Sequence, residues 1–242
     1  MREFFSNTVG RELSWFSIEH IALFVFVIIG AILIITFRTQ IRNYKHERKV
    51  AKIVAIAAFL WEIALYLWMA GNGEYTIPHS LPIGLCAFTL YIGIFALYFK
   101  NFGLFEIGYF WTWGAIASIL FPDILYSVDR FRFYQFTLGH INFFLMFIYM
   151  IFVYQWYPTW KSWKKSCITL TIIVFILIIA SNITNENLMY MLNADDTPFS
   201  MFEGNGYFLY LLGVISMSFG IIFVWFTPFM LYHRKNNKRI KD

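Results

Sequence analysis

The sequence contains few charged residues, and this scarcity excludes an ordinary soluble protein. Asp, Glu, Lys and Arg make up 14% of the 242 residues, against about a quarter in a typical soluble domain. The charges occur in clusters separated by apolar runs of about twenty residues, the length that crosses a bilayer. We therefore predict an integral membrane protein with one membrane domain over residues 1–242. The net charge of +5 does not indicate a nucleic-acid partner.

Cysteine is also scarce, because Cys86 and Cys167 are the only two in the chain. Both fall in predicted spans, near opposite membrane faces. A disulfide needs Cα atoms within about 7 Å of each other, so we expect no bridge. The first apolar run lacks a small-residue cleavage site and continues directly into Arg38. This pattern favours a retained span over a cleaved signal peptide.

Hydropathy predicts seven transmembrane helices. They cover residues of about 18–37, 51–70, 81–99, 102–121, 133–154, 166–182 and 207–232. Most of the 19 Lys and Arg residues lie on one side of this predicted membrane, and the other side holds only Arg2, Arg11, Arg130 and Arg132. The positive-inside rule therefore places the N-terminus outside and the C-terminus inside. The predicted fold class is all-α, a polytopic membrane protein of seven helices.

The start of the third span carries the first candidate catalytic residue, Cys86. Ser80 or Leu81 can cap this helix, and Pro82 fits its first turn, where an N–H lacks a partner in any case. Cys86 would then lie near the helix N-terminus, whose partial positive charge favours a thiolate. Because this effect fades beyond the first turn, the thiol still needs a base.

His140 in the fifth span is the candidate base. With a rise of 1.5 Å per residue, Cys86 lies about 7 Å and His140 about 10 Å below the outer ends of their helices. An imidazole inside a membrane is costly and tends to mark function, whereas a lone cysteine in a helix is commonly a small packing residue. The two residues form a catalytic pair only if their helices are neighbours.

Further polar residues collect in the outer half of the predicted bundle. The candidate substrate-binding residues are His20, His79, Asp123, Arg132, Gln135, Asn182 and Asn187. Structural interpretations exist for these types: histidines at the interface, an arginine on lipid phosphates, and asparagines in turns or a helix C-cap. Glu62, near mid-membrane in the second span, is either a neutral hydrogen-bonded side chain or a functional group.

Several short motifs occur in an order that resembles a known family. They are Trp15-Phe16-Ser17 leading to His20, Leu81-Pro-Ile-Gly-Leu-Cys86, Pro122-Asp123, Phe131-Arg-Phe-Tyr-Gln-Phe-Thr-Leu-Gly-His140 and Asn185-Glu-Asn-Leu-Met-Tyr190. Over essentially the whole chain, the sequence resembles the YwaF family of bacterial integral membrane proteins, which is grouped with the transmembrane protein 164 acyltransferases. The resemblance implies a multi-pass protein of the bacterial plasma membrane.

The resemblance also implies an activity, the transfer of a fatty acyl chain from a phospholipid to a lysophospholipid. Cys86 and His140 take the positions of the catalytic Cys and His. The residues implied to shape the pocket are His20, Asp123, Gln135 and Asn187. The implied partners are membrane phospholipids and lysophospholipids, with no cofactor, while the oligomeric state stays open. Extending this substrate to bacterial members is an analogy at the level of the family.

The leading hypothesis is a Cys–His acyltransferase that works in the outer half of the membrane. His140 would deprotonate Cys86, and the thiolate would attack a phospholipid ester to form an acyl-thioester. The side chains of Gln135 or Asn182 could donate hydrogen bonds to the oxyanion. Arg132 could hold the phosphate.

Two other functions stay open at this point. A transporter or sensor could bind a small solute in the same outward-facing polar cavity, and it would keep its function with Ser in place of Cys86. A transport pathway also needs polar residues in the inner half, where the spans offer few. A metal-dependent hydrolase using His20, His79, His140 and Asp123 lacks an HExxH motif or a comparable ligand spacing, so no metal is expected.

Overall fold

The computed structural model describes residues 2–77, 80–122, 124–194, 197–204 and 206–239, which contain helices and no strand. The α-helices are α1 Ile18–Thr36, α2 Arg38–Asn43, α3 Glu47–Gly71, α4 Leu85–Phe99, α5 Phe102–Gly108, α6 Trp113–Leu120, α7 Phe131–Phe152, α8 Trp160–Thr184 and α9 Tyr207–Arg239. Short 3₁₀ turns occur at Tyr109–Trp111, Leu188–Tyr190 and Pro198–Phe202. The prediction of an all-helical protein is confirmed.

Five of these helices, α1, α3, α7, α8 and α9, are long and apolar enough to cross a membrane. They account for the first, second, fifth, sixth and seventh predicted spans. Helix α4, in the third, is apolar but only 15 residues long. The fourth consists of two short helices, α5 and α6, where hydropathy predicted one continuous helix.

The break between α5 and α6 is held by side chains of α9. Tyr109 donates its hydroxyl to the backbone oxygen of Trp225 at 3.1 Å, and the Trp225 indole N–H donates to the Thr112 hydroxyl at 3.1 Å. Thr112 in turn donates to the backbone oxygen of Tyr109 at 2.6 Å. Because these bonds fasten the interruption to a neighbouring helix, the break is a tertiary feature that apolar periodicity does not reveal.

Helix α4 begins at Leu85, four residues later than the predicted start of the third span. The residues expected to start the helix are used differently. Ser80 accepts a hydrogen bond from the N–H of Thr76 at 3.0 Å and donates its own N–H to the oxygen of Thr76 at 2.7 Å. The expectations for Ser80, Leu81 and Pro82 were therefore wrong, because a local turn holds Ser80 and the N-cap is Gly84.

Helices α4 and α7 lie side by side and run in the same direction. Gly84 before α4 and Arg132 at the start of α7 line one cavity. Leu97 and Tyr149, near the ends of the same two helices, line another. We call the end of the bundle at which α4 and α7 begin the upper end.

The N-terminal residues 2–17 pack on the upper end, where they were expected only to follow the membrane interface. The N–H of Phe131 donates to the oxygen of Phe4 at 2.8 Å, and the Tyr126 hydroxyl donates to the oxygen of Asn7 at 2.9 Å. Burial raises the pKa of Tyr126 above its ordinary value, so the hydroxyl stays a donor at neutral pH. These bonds fix the loop that leads into α7.

Candidate active site

Cys86 is the second residue of α4, and this places its sulfur in the first helical turn. The first intrahelical bond at this end runs from the N–H of Phe88 to the oxygen of Gly84 at 2.9 Å. The N–H groups of Leu85, Cys86 and Ala87 precede it, and no side chain among the described residues caps them. Helix N-termini leave such donors free and carry partial positive charge. The thiol therefore lies beside unused backbone donors.

The Cys86 side chain lines a cavity of about 470 Å³ between α4, α6, α8 and α9. Most of the lining is apolar and includes Leu170, Val174 and Ile222. A hydrogen bond joins the Cys86 sulfur to the Ser118 hydroxyl on α6, with Sγ and Oγ 3.8 Å apart. This cavity has the size and polarity of a ligand site for an apolar molecule, and the thiol forms part of its wall.

His140 is held in a form that leaves one ring nitrogen able to accept a proton. Its Nδ1 lies 2.8 Å from the backbone oxygen of Phe136. A carbonyl oxygen can only accept, so Nδ1 carries the hydrogen and Nε2 of the neutral ring is left with a lone pair. The partly buried ring packs against the rings of Phe136 and Phe143, with centroids 4.3 and 5.4 Å away. This state suits a general base.

The packing of α4 on α7 brings Cys86 and His140 to the same level. A Cβ on Gly93 would lie 3.0 Å from the ring of Phe147, so the two helices meet closely at this pair. Seven residues, about two turns, separate Gly93 from Cys86, and the same spacing separates Phe147 from His140. Because the helices are parallel, both residues lie on the facing sides at similar height.

No hydrogen bond joins Cys86 to His140 in the part of the chain that the structure describes, and His140 does not line the Cys86 cavity. The two side chains therefore lie on neighbouring helices, while their contact stays a prediction. Apo sites commonly hold catalytic groups apart until substrate binds.

Arg132 and Gln135 form a polar cluster with Glu62 on the other side of Gly84. The Arg132 guanidinium donates to Gln135 Oε1, and Gln135 Nε2 donates to Glu62 Oε2 at 3.3 Å. Arg132, Glu62 and Gly84 line a separate cavity of about 330 Å³. Gly84 also lines the Cys86 cavity. A guanidinium with five N–H donors is therefore next to the helix end that carries the thiol.

His20 has a structural place in the bundle. Its side chain is buried, with Nε2 2.9 Å from the oxygen of Ile119 and Nδ1 accepting from the N–H of Phe16 at 3.0 Å. Both ring nitrogens are thus occupied, and the imidazole ties the start of α1 to the end of α6. Its predicted role in substrate binding stays a prediction.

The two predicted asparagines differ in position. Asn187 lines the Cys86 cavity, and its side-chain oxygen accepts from the N–H of Leu192 at 2.8 Å. Asn182 is exposed at the end of α8, where it donates to the oxygen of Ile178 at 2.7 Å and to the Tyr207 hydroxyl at 3.2 Å. Of the pair, only Asn187 is close to the candidate site.

Two predicted site residues, His79 and Asp123, lie outside the described residues. Within the described part of the chain, no three or more His, Cys, Asp or Glu side chains are grouped so that they could hold a metal ion. The residue that sequence reasoning missed is Ser118. A serine in an apolar helix usually bonds to its own backbone, so nothing in the sequence indicated a bond to the thiol.

These features define a class, the all-helical multi-pass membrane protein with a thiol facing an apolar cavity at the start of a helix. The particular family follows from its family model, which matches residues 15–227. The chain belongs to the TMEM164 family. The matched range includes Cys86, Arg132 and His140. No curated protein and no solved structure matches the chain.

Proposed function

We propose that the protein transfers a fatty acyl chain from a membrane phospholipid to a lysophospholipid through a thioester on Cys86. The observation that carries this proposal is the position of the thiol. It lies in the first turn of α4, in the wall of an apolar cavity of about 470 Å³, with Arg132 across Gly84. An acyl chain fits the apolar cavity, and a phosphate fits the guanidinium.

In the proposed reaction His140 Nε2 takes the proton of the Cys86 thiol, and the thiolate attacks the ester carbonyl carbon of the donor lipid. The oxyanion accepts hydrogen bonds from the uncapped N–H groups at the start of α4. The ester bond breaks, and His140 returns its proton to the departing lysophospholipid oxygen. The hydroxyl of a second lysophospholipid then loses its proton to His140 and attacks the thioester, which releases the new phospholipid and the thiol.

The proposal includes the arrangement in the membrane. We infer seven spans, in which α4 crosses as a short helix and α5 with α6 crosses as a broken one. The upper end faces outward, since the segments between the predicted spans at the opposite end carry most of the Lys and Arg residues. The proposed location is the bacterial plasma membrane, with the reaction in its outer half.

An acyl adduct on Cys86 is the direct test of this function. Purified protein incubated with a phospholipid and no acceptor should gain the mass of one acyl chain, and adding a lysophospholipid should remove it. The Cys167→Ala variant should behave in the same way, because Cys167 on α8 does not line the Cys86 cavity. A protein that transfers no chain and forms no adduct would contradict the proposal.

Arg132→Gln should raise the KM for the phospholipid donor by about 10–100-fold, since hydrogen bonds to charged groups contribute about 1.5–3 kcal/mol. The measurement is the initial rate of transfer against the mole fraction of donor in vesicles. Arg11→Gln is the matched control, because Arg11 is an exposed cation of the same end that pairs with Glu19. Equal KM values in the two variants would argue against a phosphate contact at Arg132.

A further inference from the structure

The upper end of the Cys86 cavity is covered by the loop between α8 and α9. Met189, Tyr190 and Met191 of this loop line the cavity. The loop is fastened to α9, because the Tyr210 hydroxyl donates to the oxygen of Tyr190 at 2.6 Å and the Tyr207 hydroxyl donates to the oxygen of Met191 at 3.0 Å. A lipid tail therefore needs another way in.

Helices α8 and α9 are antiparallel and pack together at two levels. Near the upper end, Leu177 belongs to one buried cluster with Tyr210 and Val214. Near the lower end, the rings of Trp163 and Phe223 lie 6.2 Å apart. Between these two contacts, the middle of α8 faces the middle of α9.

The residues at this middle level belong to the cavity wall and to the lipid-facing surface at once. Thr171 lines the cavity and is exposed. It lies three residues after Ile168 and four before Phe175, so it shares a helix face with both. Ile168 is 61% and Phe175 65% exposed, as expected for side chains that meet hydrocarbon. The cavity wall therefore reaches the outer surface of the bundle at Thr171.

No hydrogen bond of a described residue closes the gap here. The Thr171 hydroxyl donates to the oxygen of Cys167 at 2.9 Å, and the Ser218 hydroxyl on α9 donates to the oxygen of Val214 at 2.8 Å. Each hydroxyl is thus bonded within its own helix. What Thr171 and Ser218 leave at the gap is mainly carbon, which suits passage of a hydrocarbon chain.

We propose that the Cys86 cavity opens sideways into the membrane between α8 and α9, at Thr171 and Ser218, and that the acyl chain of a bilayer lipid enters there. The entering ligand is a hydrocarbon chain because the lining residues Leu170, Val174 and Phe219 are apolar. This inference rests on the proposed function only for the reaction that the chain then undergoes. The opening itself is a property of α8 and α9.

The test uses thiol labelling and needs no turnover. In a Cys167→Ala background in phospholipid vesicles, Cys86 is alkylated by N-dodecylmaleimide or N-methylmaleimide, in which the thiol adds across the ring double bond. The quantity measured is the ratio of the long-chain to the short-chain rate. Thr171→Trp should lower this ratio about tenfold, equivalent to roughly 1.4 kcal/mol in barrier height. Ser218→Trp should lower it in the same direction.

Ile172→Trp is the matched control, because Ile172 is exposed beside Thr171 but does not line the cavity. Its ratio should equal that of the parent protein. The ratio cancels a general loss of folding, which slows both reagents alike. Unchanged ratios in Thr171→Trp and Ser218→Trp would overturn the opening. If the ratios fall as expected while no acyl adduct ever forms, the opening stands and the proposed acyltransferase fails.

Discussion

Cys86→Ala should reduce acyl transfer to the uncatalysed background, a loss of at least about 10³-fold, as when a catalytic nucleophile is removed. Alanine keeps the helix, because it has the highest helix propensity, and it removes only the sulfur that bonds Ser118. The uncapped N–H groups and the cavity remain, so lipid binding should persist. The measurement is transfer of a labelled acyl chain to a lysophospholipid in vesicles.

Cys86→Ser separates the acyltransferase from a transporter or sensor. Serine keeps the size and polarity of the site, so a protein that only binds a solute should keep its function. An acyltransferase should lose most of its rate, because a neutral hydroxyl is a much weaker nucleophile than a cysteine thiol. Full activity in Cys86→Ser, with Cys167→Ala also active, would favour the binding function.

The long spans were readable from the sequence because they depend on local composition. The second span was predicted at 51–70, and α3 covers Glu47–Gly71; the sixth was predicted at 166–182, and α8 covers Trp160–Thr184. Hydropathy finds the apolar centre of each helix and loses the ends. Those ends continue into polar residues such as Lys161 and Thr184, which hydropathy assigns to the flanking segments.

The interrupted fourth span was not readable, because its cause lies in another helix. Residues 102–121 are mostly apolar and predict one helix, and Gly108 is the only local hint of a break. The glycine also has a packing role: a Cβ there would lie 2.6 Å from the ring of Phe147 and 2.7 Å from Ile92. The bonds from Trp225 that hold the interruption depend on the arrangement of the bundle, which one sequence does not contain.

Sequence predicted the depth of the candidate site better than its composition. Cys86 and His140 were expected at similar depth, and they lie at one level on adjacent helices. The direction in which each side chain points depends on helix rotation and could not be derived. The same limit hid the bond from Ser118 to the thiol and the occupied ring nitrogens of His20.

His140→Ala should lower the rate of acyl transfer by about 10²–10⁴-fold, the contribution of a positioned general base. The variant keeps Cys86, so the slow step should become formation of the acyl adduct, measured by intact mass over time. Alanine also leaves a space between the rings of Phe136 and Phe143. Added imidazole can enter that space and accept the proton.

Rescue by imidazole distinguishes a base from a packing residue. If His140 acts through Nε2, imidazole should restore part of the rate in His140→Ala and have no effect on Cys86→Ala. His233→Ala is the matched control, because His233 lies near the C-terminal end of α9, with its Nε2 2.9 Å from the oxygen of Pro158. Its rate should equal that of the parent protein. Full transfer activity in His140→Ala would leave the thiol without its proposed proton acceptor, and the proposed mechanism would have to be abandoned.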